Sequence, residues 1–148
     1  MIEVGGELYA KGQNAKGQLW SIGIDKPVSL EEERALEAIV KLDGMALATS
    51  GSYRKFYEVD GKRFSHTIDP ITGSPVDHQL LSATVMAPNA TNADAFATVF
   101  MVKGVEGTKA FLAANPQLKL EVFLIYQTEA GELETYASEG MKGVLEEV

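Results

Sequence analysis

Leu80-Leu81-Ser82-Ala83-Thr84-Val85-Met86-Ala87, then Pro88-Asn89-Ala90-Thr91-Asn92-Ala93-Asp94-Ala95-Phe96-Ala97-Thr98-Val99-Phe100-Met101-Val102-Lys103-Gly104, is the stretch on which the fold turns. Its first eight residues read as a strand, and Pro88 closes it because proline has no N–H for a ladder. Asn89 or Asn92 caps a helix that runs to about Lys103, with Gly104 as its C-cap. Ala95, Phe96, Val99, Phe100 and Val102 leave that helix little polar surface, so it is expected to be buried. A carboxylate at a buried helix start, Asp94, needs a partner such as backbone N–H groups or a metal. Val105 to Ala114 predicts a second, more amphipathic helix ending before Asn115-Pro116.

Around this helical pair the chain reads as strands. Ile2-Glu3-Val4 ends at Gly5-Gly6, and a polar turn joins Leu8–Lys11 to Gln18–Ile24. Trp20, Ile22 and Ile24 alternate with Ser21 and Gly23, the pattern of a half-buried strand. Trp20 could stack on a ring, though core packing is the commoner fate of a lone Trp on such a pattern. Ser29 with Glu32 makes a capping box, and 31–34 reads as a solvated charged face. Asp43-Gly44 lies between apolar runs and predicts a hairpin of Ala38–Leu42 with Met45–Thr49. A second hairpin, Tyr53–Val59 with Lys62–Ile68, is expected around Asp60-Gly61, and a last one joins Leu120–Gln127 to Leu133–Tyr136. The tail from Glu139 reads as a short helix with an acidic, solvated end. Runs of strands with a helical pair make the fold class α+β, a largely antiparallel sheet built from hairpins.

At 148 residues this is one domain's worth of chain, and 45% hydrophobic content fits a globular protein with a sizeable core. No apolar run approaches membrane-spanning length, and Ile2-Glu3-Val4 enters structured sequence directly, unlike a signal peptide. The absence of cysteine excludes disulfides and cysteine metal sites. A net charge of -8 disfavours nonspecific nucleic-acid binding, and it means that a bound phosphate needs a local cation or backbone donors.

Phe64-Ser65-His66-Thr67-Ile68-Asp69-Pro70-Ile71-Thr72-Gly73-Ser74-Pro75-Val76 carries one of the two histidines in a turn-rich frame. Asp-Pro initiates a turn because proline fixes its own φ and pushes the preceding residue out of the helical region. A loop so stiffened displays side chains, as a binding loop must, although a tight connection in a β-rich protein is the commoner meaning. His78, shortly after it, reads as a surface loop residue. Asp94 and Thr98 share one helix face about one turn apart. A carboxylate and a hydroxyl there are hard oxygen donors of the kind Mg²⁺ or Ca²⁺ prefers, and they are equally ordinary N-terminal helix chemistry. The small residues of Thr49-Ser50-Gly51-Ser52 could hold a ligand or simply make a bend.

Taken together, Ser65-His66-Thr67-Ile68-Asp69-Pro70-x-Thr72-Gly73-x-Pro75 and Ala93-Asp94-Ala95-x-Ala97-Thr98 resemble the ApbE family, the FAD:protein FMN transferases. Gly5-Gly6-Glu7, Leu19 to Ile24 with Pro27, and Thr49-Ser50-Gly51-Ser52-Tyr53-Arg54 agree, so the resemblance covers essentially the whole chain. It is closest to the lipoprotein members of Gram-negative bacteria. It identifies residues 1–148 with the C-terminal part of the family's domain. The upstream half is absent, with its signal peptide, its lipid-anchor Cys and an Asp-x-Gly-x-x-x-Lys-Gly-like segment that contributes to FAD and metal binding. What the resemblance implies is Mg²⁺-dependent transfer of FMN from FAD to a threonine hydroxyl of an acceptor protein, with release of AMP. Implied acceptors are subunits of sodium-pumping NADH:quinone reductase or related electron-transport complexes.

By motif position, Asp94 and Thr98 match Mg²⁺ ligands, Ile68 matches a residue that packs on FAD, and His66 matches a histidine the family's activity needs, as base or as loop support. Asp69 is expected to cap its turn or to orient His66. Ala97 stands where some relatives carry a further Asp, leaving one oxygen ligand fewer. The resemblance also implies a periplasmic full-length protein, anchored to the inner membrane through its lipid, with this chain itself soluble, no nucleic-acid partner and a possible homo-oligomer. A chain holding half of such a site is expected to bind flavin weakly and to be inactive alone. The alternatives are a non-catalytic flavin-binding or partner-binding domain, or a Mg²⁺-dependent FAD pyrophosphatase.

Overall fold

The computed structural model describes residues 1–27, 35–52, 56–59, 62–146 and 148. The Ser29–Glu32 capping box, Tyr53-Arg54 and the Asp60-Gly61 turn lie outside the described residues. The strands are β1 (Ile2–Val4), β2 (Glu7–Ala10), β3 (Trp20–Asp25), β4 (Leu36–Leu42), β5 (Met45–Gly51), β6 (Phe56–Val59), β7 (Lys62–Ser65), β8 (Leu80–Ala87), β9 (Glu121–Gln127), β10 (Leu133–Ala137) and β11 (Leu145–Glu146). The helices are α1 (Ala90–Ala114) and the one-turn α2 (Glu139–Lys142). A six-stranded antiparallel sheet has the order β1-β2-β5-β8-β9-β10; a three-stranded sheet has the order β11-β4-β3; β6 and β7 form a separate ribbon.

The large sheet is covered on both faces. Ala83, Val85 and Ala87 of β8, with Val122 and Leu124 of β9, point to a core that includes Ala93, Ala97, Phe100 and Met101 of α1. Met86, Phe123 and Ile125 point the other way, to Val40, Leu42 and Ile24 of the small sheet. Adjacent strand residues thus serve opposite cores, as a two-residue repeat requires. Double coverage is why β8 reads as an almost unbroken apolar run. Thr84 within it is fully buried, and its hydroxyl is satisfied by Thr49 Oγ1 at 2.8 Å.

The α+β class and the hairpins β6–β7 and β9–β10 follow the expectation. The Asp43-Gly44 hairpin does not form. β4 pairs with β3 and β11, whereas β5 pairs with β2 and β8, so this turn carries the chain from one sheet to the other. It is fastened to the end of β2 by Gly12 N–H to Asp43 Oδ1 at 2.7 Å and Gly44 N–H to the Ala10 carbonyl at 2.8 Å. The physical reason is layering: Val40 and Leu42 must face Leu8 and Leu47 across a core, and a flat hairpin would place them side by side. The tail forms the expected short helix at Glu139 and departs from expectation only beyond it. After α2 it returns to the small sheet, where Leu145 pairs with Val40.

α1 begins at Asn89, whose side chain accepts the Asn92 N–H at 2.9 Å. It is broken at Gly104 (φ 68, ψ -175), which divides it into the expected pair. It buries Ala93, Ala97, Phe100 and Met101 on one face only; Asp94, Ala95 and Thr98 are exposed. The expectation of a buried helix start around Asp94 is therefore corrected. Spacing by three and four concentrates the apolar residues on the sheet-facing side and leaves Asp94 on the other. Trp20 is half-buried against the second core, the packing role rather than a stacking one. Among the described residues, no helix is long and apolar enough to cross a membrane.

Candidate functional site

A cleft of about 1040 Å³ opens where the two sheets, the 66–76 loop and α1 meet. Its walls are the β1–β2 turn at Gly5-Gly6, the strand Ser21–Asp25, the end of β5 at Thr49-Ser50-Gly51, the residues His66-Thr67-Ile68, and Thr98, Met101 and Val102 of α1. The β1–β2 turn has only two residues, both with positive φ (68 and 107), which side chains resist. No atom lies within 4 Å of where a Gly6 side chain would begin, so backbone there is open to a ligand.

The loop is built as its sequence demands. Asp69 N–H donates to the Ser74 carbonyl at 2.9 Å, and Gly73 N–H donates to the Asp69 carbonyl at 2.8 Å. The Asp69 carboxylate accepts the Ile71 N–H at 2.8 Å, so Asp69 caps the turn. Val76 N–H donates to the Thr67 carbonyl at 3.0 Å, and Ile68 bridges to Pro75. The closed base presents His66, Thr67 and Ile68 to the cleft, while Ile71 at the tip is 93% exposed. Ile68 is itself 49% exposed, an apolar side chain offered to a partner surface rather than to the core.

Across the cleft, Thr98 Oγ1 stands 3.3 Å from Ser50 Oγ. His66, Ile68 and Thr98 therefore share one cavity. Asp94 is not part of its lining; it lies on the exposed face of α1, one turn before Thr98. Thr98 and Ser50 make a set of two adjacent hydroxyl donors, with the Asp94 carboxylate one turn along α1 from Thr98, and among the described residues no cluster of three or more His, Cys, Asp or Glu side chains is placed to hold a metal. Such a set suits a hard ion that takes its remaining ligands from phosphate and water, as Mg²⁺ does. The described lining contains the carboxylates of Glu3 and Asp25 and no lysine or arginine. A pyrophosphate entering this cleft would meet an unfavourable field unless a cation accompanied it.

Sequence reasoning left Ser50 undecided between ligand and bend, and it passed over Met101 and Val102, which line the cleft behind Thr98. Nothing in their residue types marks them. His78 stands exposed in the bend before β8, the surface position read from the sequence, and its ring is also held by hydrogen bonds on both nitrogens, to the Met101 carbonyl at 2.8 Å and from the Leu80 N–H at 3.3 Å.

The sequence model of the ApbE family matches residues 1–124. The FAD:protein FMN transferase of Haemophilus influenzae is 46% identical over 131 residues, covering 88% of this chain and 37% of that protein. The protein of the same name from Escherichia coli K12 is 42% identical over 145 residues, covering 98% and 40%. Among solved structures, the flavin transferase ApbE from Vibrio cholerae matches with a TM-score of 0.79 and 39% identity over 96% of this chain and 43% of that one. The ApbE protein of Thermotoga maritima matches with a TM-score of 0.77 and 30% identity over 98% and 44%. The chain spans about two fifths of the length of the relatives it matches.

Proposed function

The chain belongs to the ApbE family, and from that premise we propose that its cleft forms part of the site of an FAD:protein FMN transferase. One observation carries the reading: a cavity large enough for a nucleotide cofactor brings His66, Ile68 and Thr98 together while offering no lysine or arginine among its described lining residues. A flavin ring would lie on the exposed face of Ile68. Asp94 and Thr98, with Ser50 beside them, would hold Mg²⁺. When bound, that ion supplies the positive charge a pyrophosphate needs as AMP departs.

In this reading an acceptor threonine hydroxyl attacks the phosphorus of the FMN half. The new Thr O–P bond forms as the P–O bond to AMP breaks. His66, on the cleft wall, takes the hydroxyl proton as general base. The closed 69–75 turn holds His66 and Ile68 in register, so that positioning is built into the fold before the ligand arrives. The acceptor is a subunit of a sodium-pumping NADH:quinone reductase or a related electron-transport complex, and the reaction's compartment is the periplasm, with a lipid anchor upstream of these residues. Residues 1–148 contribute one part of the transferase domain, so the chain by itself binds FAD weakly and transfers FMN inefficiently. Efficient transfer by the purified chain would overturn that last statement.

The experiment is an FAD titration with and without Mg²⁺, followed by flavin and Trp20 fluorescence, on the chain and on Asp94→Ala and Thr98→Val. Mg²⁺ should strengthen binding to the unsubstituted chain, and each substitution should erase that gain. Because Asp94 is exposed, its removal should alter unfolding free energy by no more than about 0.5 kcal/mol. A Mg²⁺ effect that survives in Asp94→Ala would refute the metal assignment.

A further inference from the structure

We propose that His78 is a positioning residue, a clamp that fixes the spacing between the ligand loop and the helix that carries Asp94 and Thr98. Three features at the helix break fit one another. Gly104 interrupts α1, and a helix segment that stops leaves its last carbonyls without intrahelical donors. His78 Nε2 reaches one of them, the Met101 carbonyl, at 2.8 Å. The ring also lies against the bare Cα of Gly104, where an added Cβ would stand 3.2 Å from His78 Cδ2.

The two hydrogen bonds define the proton's place. A carbonyl only accepts, so Nε2 must carry the hydrogen; Leu80 N–H only donates, so Nδ1 must be bare. The neutral Nε2–H tautomer satisfies both partners at once. The other tautomer would turn N–H against N–H on one side and leave a lone pair facing a carbonyl on the other.

The clamp's position is what gives it a role in the site. His78 ends the segment that starts at His66 and closes on itself through Thr67 and Val76. Met101, which it grips, lines the cleft one turn after Thr98. Loop and helix lie far apart in the chain, and the ring ties them directly across the helix break. Loss of the ring frees the loop end from the helix, so the distance from Ile68 to Thr98 is no longer set. The binding consequence rests on the functional reading above; the clamp geometry does not.

The test has two arms. Long-range proton–nitrogen correlation spectra of the free chain, with His66 as the only other imidazole to assign, should show His78 as the Nε2–H tautomer. His78→Ala should shift the amide signals of Thr67, Ile68 and Thr98 together and weaken Mg²⁺-dependent FAD binding about tenfold. His78→Gln, which keeps a donor within reach of the Met101 carbonyl, should recover most of that loss, whereas a residue that merely fills space would not need its donor back. An Nδ1–H tautomer, unshifted amides, wild-type affinity in His78→Ala or failure of Gln to rescue would each overturn the clamp. If the unsubstituted chain binds no FAD, the functional reading fails instead, and tautomer and amide shifts alone decide on the clamp.

Discussion

Gly104→Ala is the substitution whose cost can best be worked from the structure. The residue has φ 68 and ψ -175, a region populated essentially by glycine, in which a side chain costs about 1–3 kcal/mol. Its new Cβ would also press on the His78 ring at 3.2 Å, and displacing the ring would sacrifice a hydrogen bond worth about 1 kcal/mol net. The two together come to about 2–4 kcal/mol. For a domain of this size, about 2–4 °C of melting temperature is lost per kcal/mol, so the drop should be roughly 4–16 °C. Thermal unfolding followed by far-UV circular dichroism measures it. Gly12→Ala is the internal control, since Gly12 has φ 69 with nothing within 4 Å of the added carbon. It reports the cost of a side chain at a comparable positive φ without a ring contact. A Gly104→Ala chain that melts no lower than Gly12→Ala would show that the contact with His78 carries no energy, and the reasoning that joins ring, glycine and helix break would fall.

Phe100→Ala should destabilise the chain by about 3–5 kcal/mol, because its side chain is fully buried and packs with the rings of Phe96 at 5.9 Å and Phe111 at 5.7 Å. Urea unfolding reads this directly, and a loss under about 1.5 kcal/mol would contradict a close-packed helix–sheet core. Tyr126 donates its hydroxyl to Glu134 Oε2 at 2.9 Å, and that hydrogen bond, with some desolvation and the nearby Glu134 charge, raises the phenol's pKa above its ordinary value. A raised folded-state pKa stabilises fully below the unfolded value near ~10 and is lost as pH rises through the folded one. Tyr126→Phe should therefore delete a phenol that titrates above the ordinary range from the alkaline absorbance curve and soften the fall of stability at high pH; deletion of an ordinary, mid-range phenol would contradict the bond.

Much of the architecture was legible because local pattern and global layering agreed. The strand at Leu80–Ala87, its proline stop, the Asn89 cap and the Gly104 break all announce themselves in residue type, and each stands where read. Asp43-Gly44 failed because a two-residue turn fixes only how the chain reverses, not whether the flanking strands pair. That decision belongs to the core shared by Leu42 and Leu47, which are brought together from opposite layers. Asp94 was misjudged for a related reason. The apolar residues around it are dense enough to suggest burial on all sides, yet only the face through Ala93, Ala97 and Phe100 meets the sheet. The cleft residues His66, Ile68 and Thr98 were recoverable from motif, but the cavity they share was not, since it is made by strands from two sheets. His78 carried no signal at all. Its meaning lies in a carbonyl 23 residues away that becomes available only once the helix has broken.

The pairing of Leu145 with Val40 sets an order of events for the folding chain. β3 and β4 can meet early, since they are neighbours in sequence, but their sheet is finished by β11, and Met141 just before it is fully buried in the second core. On a ribosome, that core stays open until residues 141–146 have emerged. Closing so long a loop is slow, of the order of milliseconds to seconds for β-rich topologies. During synthesis the apolar face of β4 must therefore wait uncovered, and the interval in which it waits is when this chain is most exposed to aggregation or to capture by a chaperone.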